Sequence, residues 1–366
     1  MATTAAPALR FTRVPHPAPA AADVRAQVLA NPGFGTKFSD HMVSIDWTES
    51  EGWHNAQILP YGPIALDPAA AVLHYAQEIF EGLKAYRLAD GGIALFRPEA
   101  NAARFNASAR RLAMAEIPED LFIAAVEQLV LTDQDWFPTV EGGSLYLRPF
   151  MFASEAFLGV RPAKAYRFMV IASPAGNYFK SGSPAVSIWV SDYTRAAPGG
   201  TGAAKCGGNY AASLVPTAEA FARGHDQVLF LDAAEHKWIE ELGGMNLFFA
   251  FDDGSIVTPP LGGTILPGIT RESLIALARE EGLTVREERY SLDQWRADAA
   301  SGKLVETFAC GTAAVVTPVG KVADHNGEFT IGSGGPGQLT QKLRQRLVSI
   351  QRGEAADTHG WVKKIA

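Results

Sequence analysis

One lysine stands in a frame built almost wholly of small residues. The segment 199–214 reads GGTGAAKCGGNYAASL. It surrounds Lys205 with Gly199, Gly200, Gly202, Gly207 and Gly208 and sets Tyr210 five residues on. Glycine lets a backbone approach a ligand closely and take up φ > 0. An amine shielded from water loses its proton more readily and becomes a nucleophile toward an aldehyde. The loop is not a P-loop, because G-x-x-x-x-G-K-[ST] would need glycine at 204 and serine or threonine at 206, where Ala204 and Cys206 stand. A solvated lysine in a glycine loop is the plainer alternative.

Three further segments carry groups that could serve such an amine. WIEELGGMNLFF, 238–249, places Glu240 and Glu241 between apolar runs, and an inward carboxylate there could pair with a ring nitrogen or a cation. GTILPGITRESL brings Ile269 and Thr270 to a helix start, where amide N–H groups and the helix dipole favour an anion. TFACGTAAVVTP puts Gly311 and Thr312 after a strand, a second place for a backbone-amide pocket. Surface carboxylates, simple capping and an apolar hairpin are the ordinary readings of these three.

The elements that must position these groups can be read from periodicity. HMVSIDW, GGIALFRP, SLYLRPFM, YRFMVIAS, AVSIWVSDY and DQVLFLDAA read as strands, and FFAFDDGSIVTPP as a hairpin turning at Asp253-Gly254. Helices are expected over 98–115 with Pro98 at the start, over 121–131, over 270–281 with Thr270 as N-cap and Gly282 as stop, and over 338–351. Strands outnumber helices in both halves without a regular βαβα alternation, so the class is mixed α/β of the α+β type.

At 366 residues the length suggests about two domains. The Ser/Pro/Gly-rich SPAGNYFKSGSP marks the break. The expected division is a flexible arm over 1–33, a smaller α/β domain over 34–172, an interdomain loop over 173–184 and a larger domain over 185–366. With 47% hydrophobic and 19% charged residues the chain can build real cores. A net charge of −7 argues against nucleic acid or an anionic membrane as partner. Two distant cysteines, Cys206 and Cys310, exclude a disulfide scaffold and point to a reducing, cytoplasmic setting. The scattered histidines and the absence of C-x-x-C give no metal site. The start lacks a signal-peptide core, and no apolar run reaches the ~18 residues of a membrane span.

Eight blocks in fixed order then carry a resemblance: FGTKFSDHM, LHYAQEIFEGLKAY, LFRPEANAARF, SLYLRPF, KCGGNYAASL, EELGGMNLFF, TPPLGGTILPGITRESL and FACGTAAVVTP. From about residue 34 to the C-terminus the sequence resembles the class IV, fold-type IV pyridoxal-phosphate aminotransferases. Within them it resembles the branched-chain-amino-acid aminotransferases, which exchange amino groups between leucine, isoleucine or valine and 2-oxoglutarate. The resemblance implies two α/β domains with the active site between them and pyridoxal 5'-phosphate bonded to Lys205, which also moves the substrate proton. It further implies that Tyr210 meets the cofactor's phenolic oxygen and that Glu241, rather than Glu240, meets its ring nitrogen. Arg104, the Ile269 and Thr270 amides and the Thr312 hydroxyl would hold the phosphate. Phe38, Tyr75, Phe80 and Tyr146 would line the substrate pocket, and Arg148 would meet the distal carboxylate of glutamate. Thr312 and Ala313 would hold the α-carboxylate, and Tyr178 would gate the site. Tyr75 is implied to enter the neighbouring subunit of a homodimer. Ala314 and Thr317 stand where some animal relatives carry a C-x-x-C thiol pair, so a thiol switch there is not expected.

Overall fold

The computed structural model describes residues 9–176 and 185–366. Their contacts define two units of nearly equal length, one holding the described residues up to 176 together with His359–Ala366, the other running from 185 to Thr358.

In the first unit the strands are β1 (Thr12–Arg13), β2 (His41–Thr48), β3 (Gly52–Pro60), β4 (Glu78–Phe80), β5 (Leu83–Arg87), β6 (Ile93–Phe96), β7 (Ser144–Ala153) and β8 (Ala165–Ala175). Its α-helices are α1 (Ala22–Ala30), α2 (Ala71–Tyr75), α3 (Pro98–Arg111) and α4 (Glu119–Thr132). The strands follow the order β1-β3-β2-β8-β7-β5-β6, with β4 also pairing β7. Period-two alternation gives β7 two characters. Leu145, Leu147 and Met151 are fully buried, while Tyr146, Arg148 and Phe150 share the other face. α4 packs on β2, β7 and β8. There Phe105 of α3, Phe122 of α4 and Phe168 of β8 meet with ring centroids 5.3, 5.5 and 5.7 Å apart. Burying each such ring stabilises the fold by about 2 kcal/mol.

The second unit contains β9 (Val186–Val190), α5 (Gly207–Ala211), α6 (Leu214–Ala222), β10 (Gln227–Leu231), β11 (Ile239–Leu242), β12 (Asn246–Phe251), β13 (Ser255–Thr258), α7 (Ile269–Glu280), β14 (Thr284–Glu287), α8 (Leu292–Ser301), β15 (Leu304–Gly311), β16 (Val315–Asp324), β17 (Gly327–Thr330) and α9 (Gln338–Gln351). Its sheet runs β11-β10-β9-β16-β15-β12-β13-β14, with β17 beside β16. The β12–β13 hairpin turns at Gly254, φ +79°, as the Asp-Gly pair predicts. Phe249, Tyr290 and Trp295 pack at its centre, with ring centroids 4.7 and 5.0 Å from Phe249.

Several boundaries differ from the sequence expectation. α3 stops at Arg111 rather than 115, because Ala113 takes φ +52° and the Met114 amide turns back to the Ala109 carbonyl. In α7 the N-cap is Gly268, and Thr270 lies inside the first turn. The start of the chain, expected as a flexible arm, is tied down from residue 12: Thr12 pairs with Gln57, and the Val14 amide bonds the Ile58 carbonyl at 2.9 Å. β8 continues through 173–175, since Ser173 and Ala175 pair with Tyr146 and Ser144. The last eight residues were expected with the second domain. They belong to the first unit because β18 (Val362–Lys364) adds to the edge of β6 and Trp361 packs on Phe96 at 5.8 Å.

Candidate active site

The lysine loop of the second unit is fixed by an asparagine. Asn209, buried at the start of α5, donates to the carbonyls of Thr201 and Ala204 at 2.8 Å and accepts from the Thr201 hydroxyl at 2.7 Å. Gly202 is required by space: a Cβ there would lie 2.5 Å from the Thr264 carbonyl oxygen and 2.7 Å from the Ala196 methyl. The clamp leaves Lys205 part-buried, its Nζ donating to the Tyr210 hydroxyl at 2.7 Å.

Glu241 is 3% exposed on β11. Arg195 pairs with its Oε1 at 2.8 Å, and the Leu266 amide donates to the same oxygen at 3.0 Å. Asn246 Nδ2 approaches Oε2 at 3.5 Å. Burial pushes the Glu241 carboxyl up to about 7, against the downward pull of Arg195, the Leu266 amide and Lys205; Glu240 adds to the rise. Lys205 and Glu241 therefore share one electrostatic environment. Glu240 turns to another partner, Thr264, whose hydroxyl donates at 2.5 Å, and burial raises its carboxyl as well.

Asn246 links Glu241 to the start of α7 and to the end of β15. A Cβ at Gly268 would lie 2.0 Å from Asn246 Oδ1, so the start of α7 is seated directly on this asparagine. Ile269 and Thr270 are the first two residues of α7, where helix amides point out of the helix end. Asn246 also pairs with Cys310, the residue before Gly311 and Thr312. Thr312 and Ala313 occupy the turn between β15 and β16, closed by the Gly311–Val315 pair. Val315 takes φ +63°, a strained conformation for a β-branched residue.

The first unit collects a second set. Arg148 lies over the Phe80 ring at 4.8 Å and the Tyr146 ring at 5.5 Å, and its Nη2 donates to the Tyr146 hydroxyl at 3.2 Å. Phe34 packs edge-on against Tyr146 at 5.0 Å. Arg104 on α3 offers the Nε–Nη2 edge of its fork to Glu81, at 2.7 and 2.8 Å. Glu81 is fully buried and also accepts from Asn101 at 2.7 Å and the Gly82 amide at 3.0 Å. Phe38 stacks on Tyr61 at 4.9 Å. Tyr75 ends α2, 39% exposed, its hydroxyl donating to the Leu158 carbonyl. Tyr178 lies outside the described residues.

Sequence reasoning missed Arg195, Asn246, Asn209, Glu81 and Phe34 as supporting groups. Arg195 precedes the glycine loop by a few residues, and Asn246 follows the Gly pair after Glu241. Only the folded chain shows that both meet Glu241. No group of acidic, histidine or cysteine side chains suited to a metal occurs among the described residues. Among them, too, no helix is long and apolar enough to cross a membrane.

The second unit thus holds an amine paired with a phenol, a buried carboxylate paired with arginine, and a helix start joined to that carboxylate through one asparagine. The class IV aminotransferase family model matches residues 78–322, so the chain belongs to that family. It is 58% identical to the branched-chain-amino-acid aminotransferase of Mycolicibacterium smegmatis over 98% of each chain, which places it among the branched-chain-amino-acid aminotransferases. Its fold matches the Escherichia coli branched-chain amino acid aminotransferase with TM-score 0.74 and 29% identity, over 88% of this chain and 100% of that one. The T.th. branched-chain amino acid aminotransferase with pyridoxamine 5'-phosphate matches with TM-score 0.73 and 29% identity, over 88% and 99%. The fold-type IV architecture follows.

Proposed function

We propose that this enzyme transfers the amino group between L-leucine, L-isoleucine or L-valine and 2-oxoglutarate, in two alternating half-reactions, with pyridoxal 5'-phosphate as cofactor. The observation that carries the reading is the Lys205–Tyr210 pair sharing an electrostatic environment with the buried Glu241–Arg195 pair. When bound, pyridoxal phosphate supplies an aldehyde for an amine and a ring that takes up electron density from the substrate Cα. The donor set fits such a group: an amine, a phenol, a desolvated carboxylate and a helix start seated on Asn246.

Lys205 is the nucleophile that holds the cofactor and the base that removes the Cα proton. Tyr210 keeps the amine oriented and meets the phenolic oxygen. Glu241, whose anionic form Arg195 favours against the effect of burial, keeps a proton on the ring nitrogen. The Ile269 and Thr270 amides, the Thr312 hydroxyl and Arg104 hold the phosphate, a charge-assisted set at a helix N-terminus. The Thr312 and Ala313 amides hold the α-carboxylate. Phe38, Tyr75, Phe80 and Tyr146 give apolar contacts for a branched side chain, and Arg148 receives the distal carboxylate of glutamate.

A homodimer follows from the same reading. Tyr75 lies in one unit with Leu73, Leu158 and Val160, which are 58, 66 and 88% exposed, and such apolar surface suits a second copy of the chain. Both cysteines are free and buried, which supports a reducing, cytoplasmic compartment. The test is a panel of amino donors read against 2-oxoglutarate, with absorbance followed as L-leucine is added to the yellow protein. Turnover of leucine, isoleucine and valine with bleaching of the yellow form is the expected result. A preference for D-alanine, or colour unchanged by leucine, refutes the assignment.

A further inference from the structure

We propose that Gly82 and the Tyr146 hydroxyl set how well this enzyme accepts an acidic side chain, with Gly82 making room for the phenol and the phenol holding Arg148. The inference rests on reading Arg148 as the partner of the distal carboxylate of glutamate.

β4 and β5 are two halves of one interrupted strand. β4 ends at Phe80 and β5 starts at Leu83, yet both pair with β7 in a single register: Phe80 with Phe150, Leu83 with Leu147, Lys84 with Tyr146. In the gap the Glu81 amide donates to the Pro149 carbonyl at 2.7 Å. Proline has no N–H to return, which is why the ladder lapses there. The register carried across the gap sets Gly82 opposite Arg148. Side chains alternate along a strand, so positions 80, 82 and 84 share a face with 146, 148 and 150. Arg148 over the Phe80 ring agrees with this.

Gly82 is then the one position on that face with no side chain, and the Tyr146 phenol fills the space. A Cβ at 82 would lie 2.1 Å from the Tyr146 hydroxyl oxygen and 2.9 Å from Cζ. The Gly82 φ is outside the left-handed region, so the backbone there would accept any residue; packing, not conformation, demands glycine. Phe34 supports the same ring edge-on. The phenol oxygen accepts from Arg148 Nη2 at 3.2 Å, while Arg148 Nε is buried with no hydrogen-bond partner among the described residues. The guanidinium is thus tethered at one end, faced by two rings and short of acceptors. A carboxylate meets a cation already ordered, and binding costs less when the side chain need not be immobilised. A branched apolar side chain meets the ring faces instead.

Gly82 and Tyr146 act here as positioning residues, so the readout is a ratio. The kcat and KM of the L-glutamate and L-leucine half-reactions would be measured for Y146F, G82A, the double variant and R148A. Loss of the hydrogen bond to a charged group in Y146F should raise the glutamate KM about tenfold relative to that of leucine. G82A should move the ratio the same way by displacing the phenol. The double variant should move it no further than Y146F alone, because both changes act through one hydroxyl. A ratio unchanged in Y146F while R148A lowers glutamate use overturns the proposal alone, as do shifts that multiply in the double variant. A wild-type ratio in R148A overturns the reading of Arg148 and the proposal with it. A merely structural role would depress both substrates together.

Discussion

Glu241 gives the pH dependence of the cofactor-free protein a definite sign. Its carboxyl is raised from 4.5 in the unfolded chain to about 7 in the fold, chiefly by burial. Between those values the folded state binds a proton that the unfolded state has released. Stability from this group is therefore full below pH 4.5 and is lost as pH rises through about 7. Converted at about 1.36 kcal/mol per pH unit, the gap amounts to about 3 kcal/mol. Glu241→Gln cannot titrate, so the difference in unfolding free energy between wild type and E241Q should drift by about that amount between pH 4.5 and 8 and then level off. The fixed offset between the two proteins is a separate matter, since E241Q also leaves Arg195 without its anion. The assay is urea unfolding of both cofactor-free proteins over that range, read as the change in their difference. A flat difference would mean that Arg195 outweighs burial and keeps Glu241 charged throughout. A drift of opposite sign would mean that the carboxyl lies below 4.5. Either result refutes the reasoning. On the proposed role of Glu241, the drift should shrink with pyridoxal phosphate bound, because a protonated ring nitrogen would add a positive partner to the carboxylate.

Three other perturbations address the supports. Glu81→Gln breaks the ion pair between fully buried Glu81 and part-buried Arg104 and should cost about 3 kcal/mol in urea unfolding. It should also weaken pyridoxal phosphate more than unphosphorylated pyridoxal in equilibrium dialysis, and equal weakening of both would detach Glu81 from the phosphate. Gly202→Ala drives a methyl against the Thr264 backbone and the Ala196 methyl, so a loss of about 1–3 kcal/mol is expected by thermal unfolding. Val315→Gly should change stability by less than about 1 kcal/mol, because relief of left-handed strain offsets the entropy of glycine. A loss several times larger would show that the valine side chain, not its turn, matters.

What the sequence revealed of this site depended on the reach of each contact. The Lys205–Tyr210 pair spans five residues, and its glycine frame could be read directly. The β12–β13 turn was legible for the same reason, since Asp253-Gly254 encodes it locally. Arg195 and Glu241 lie 46 positions apart, and Glu81 and Arg104 lie 23 apart. Nothing local distinguishes those partners from solvated charges. β18 was hidden more thoroughly: VKK shows no strand alternation, and it becomes a strand only because β6 offers an open edge. The helix end at Arg111 was misjudged because Ala113, a good helix former, adopts a left-handed turn that its side chain does not announce.

The adjacent carboxylates of β11 show how one strand supplies two different groups. Glu240 and Glu241 differ by a single position, and alternation sends them to opposite faces. Glu241 finds an arginine, an amide N–H and an asparagine, a set that favours the anion and suits a carboxylate facing a protonated ring. Glu240 finds a threonine hydroxyl and no direct cation among these contacts, and burial raises it without an arginine at hydrogen-bond distance to oppose the rise. Ionising both would set two negative charges on neighbouring residues in a desolvated setting. Glu240 raises Glu241, while Arg195 lowers both carboxyls and makes its direct contact with Glu241. Exchanging the two side chains' surroundings, rather than their identities, would exchange their roles. By this argument Glu240→Gln should lower the Glu241 carboxyl, while Arg195→Met should raise it further and weaken its hold on a ring proton. The pH dependence of the bound cofactor's absorbance would then move in opposite directions in the two variants, and movement in the same direction would refute the division of labour.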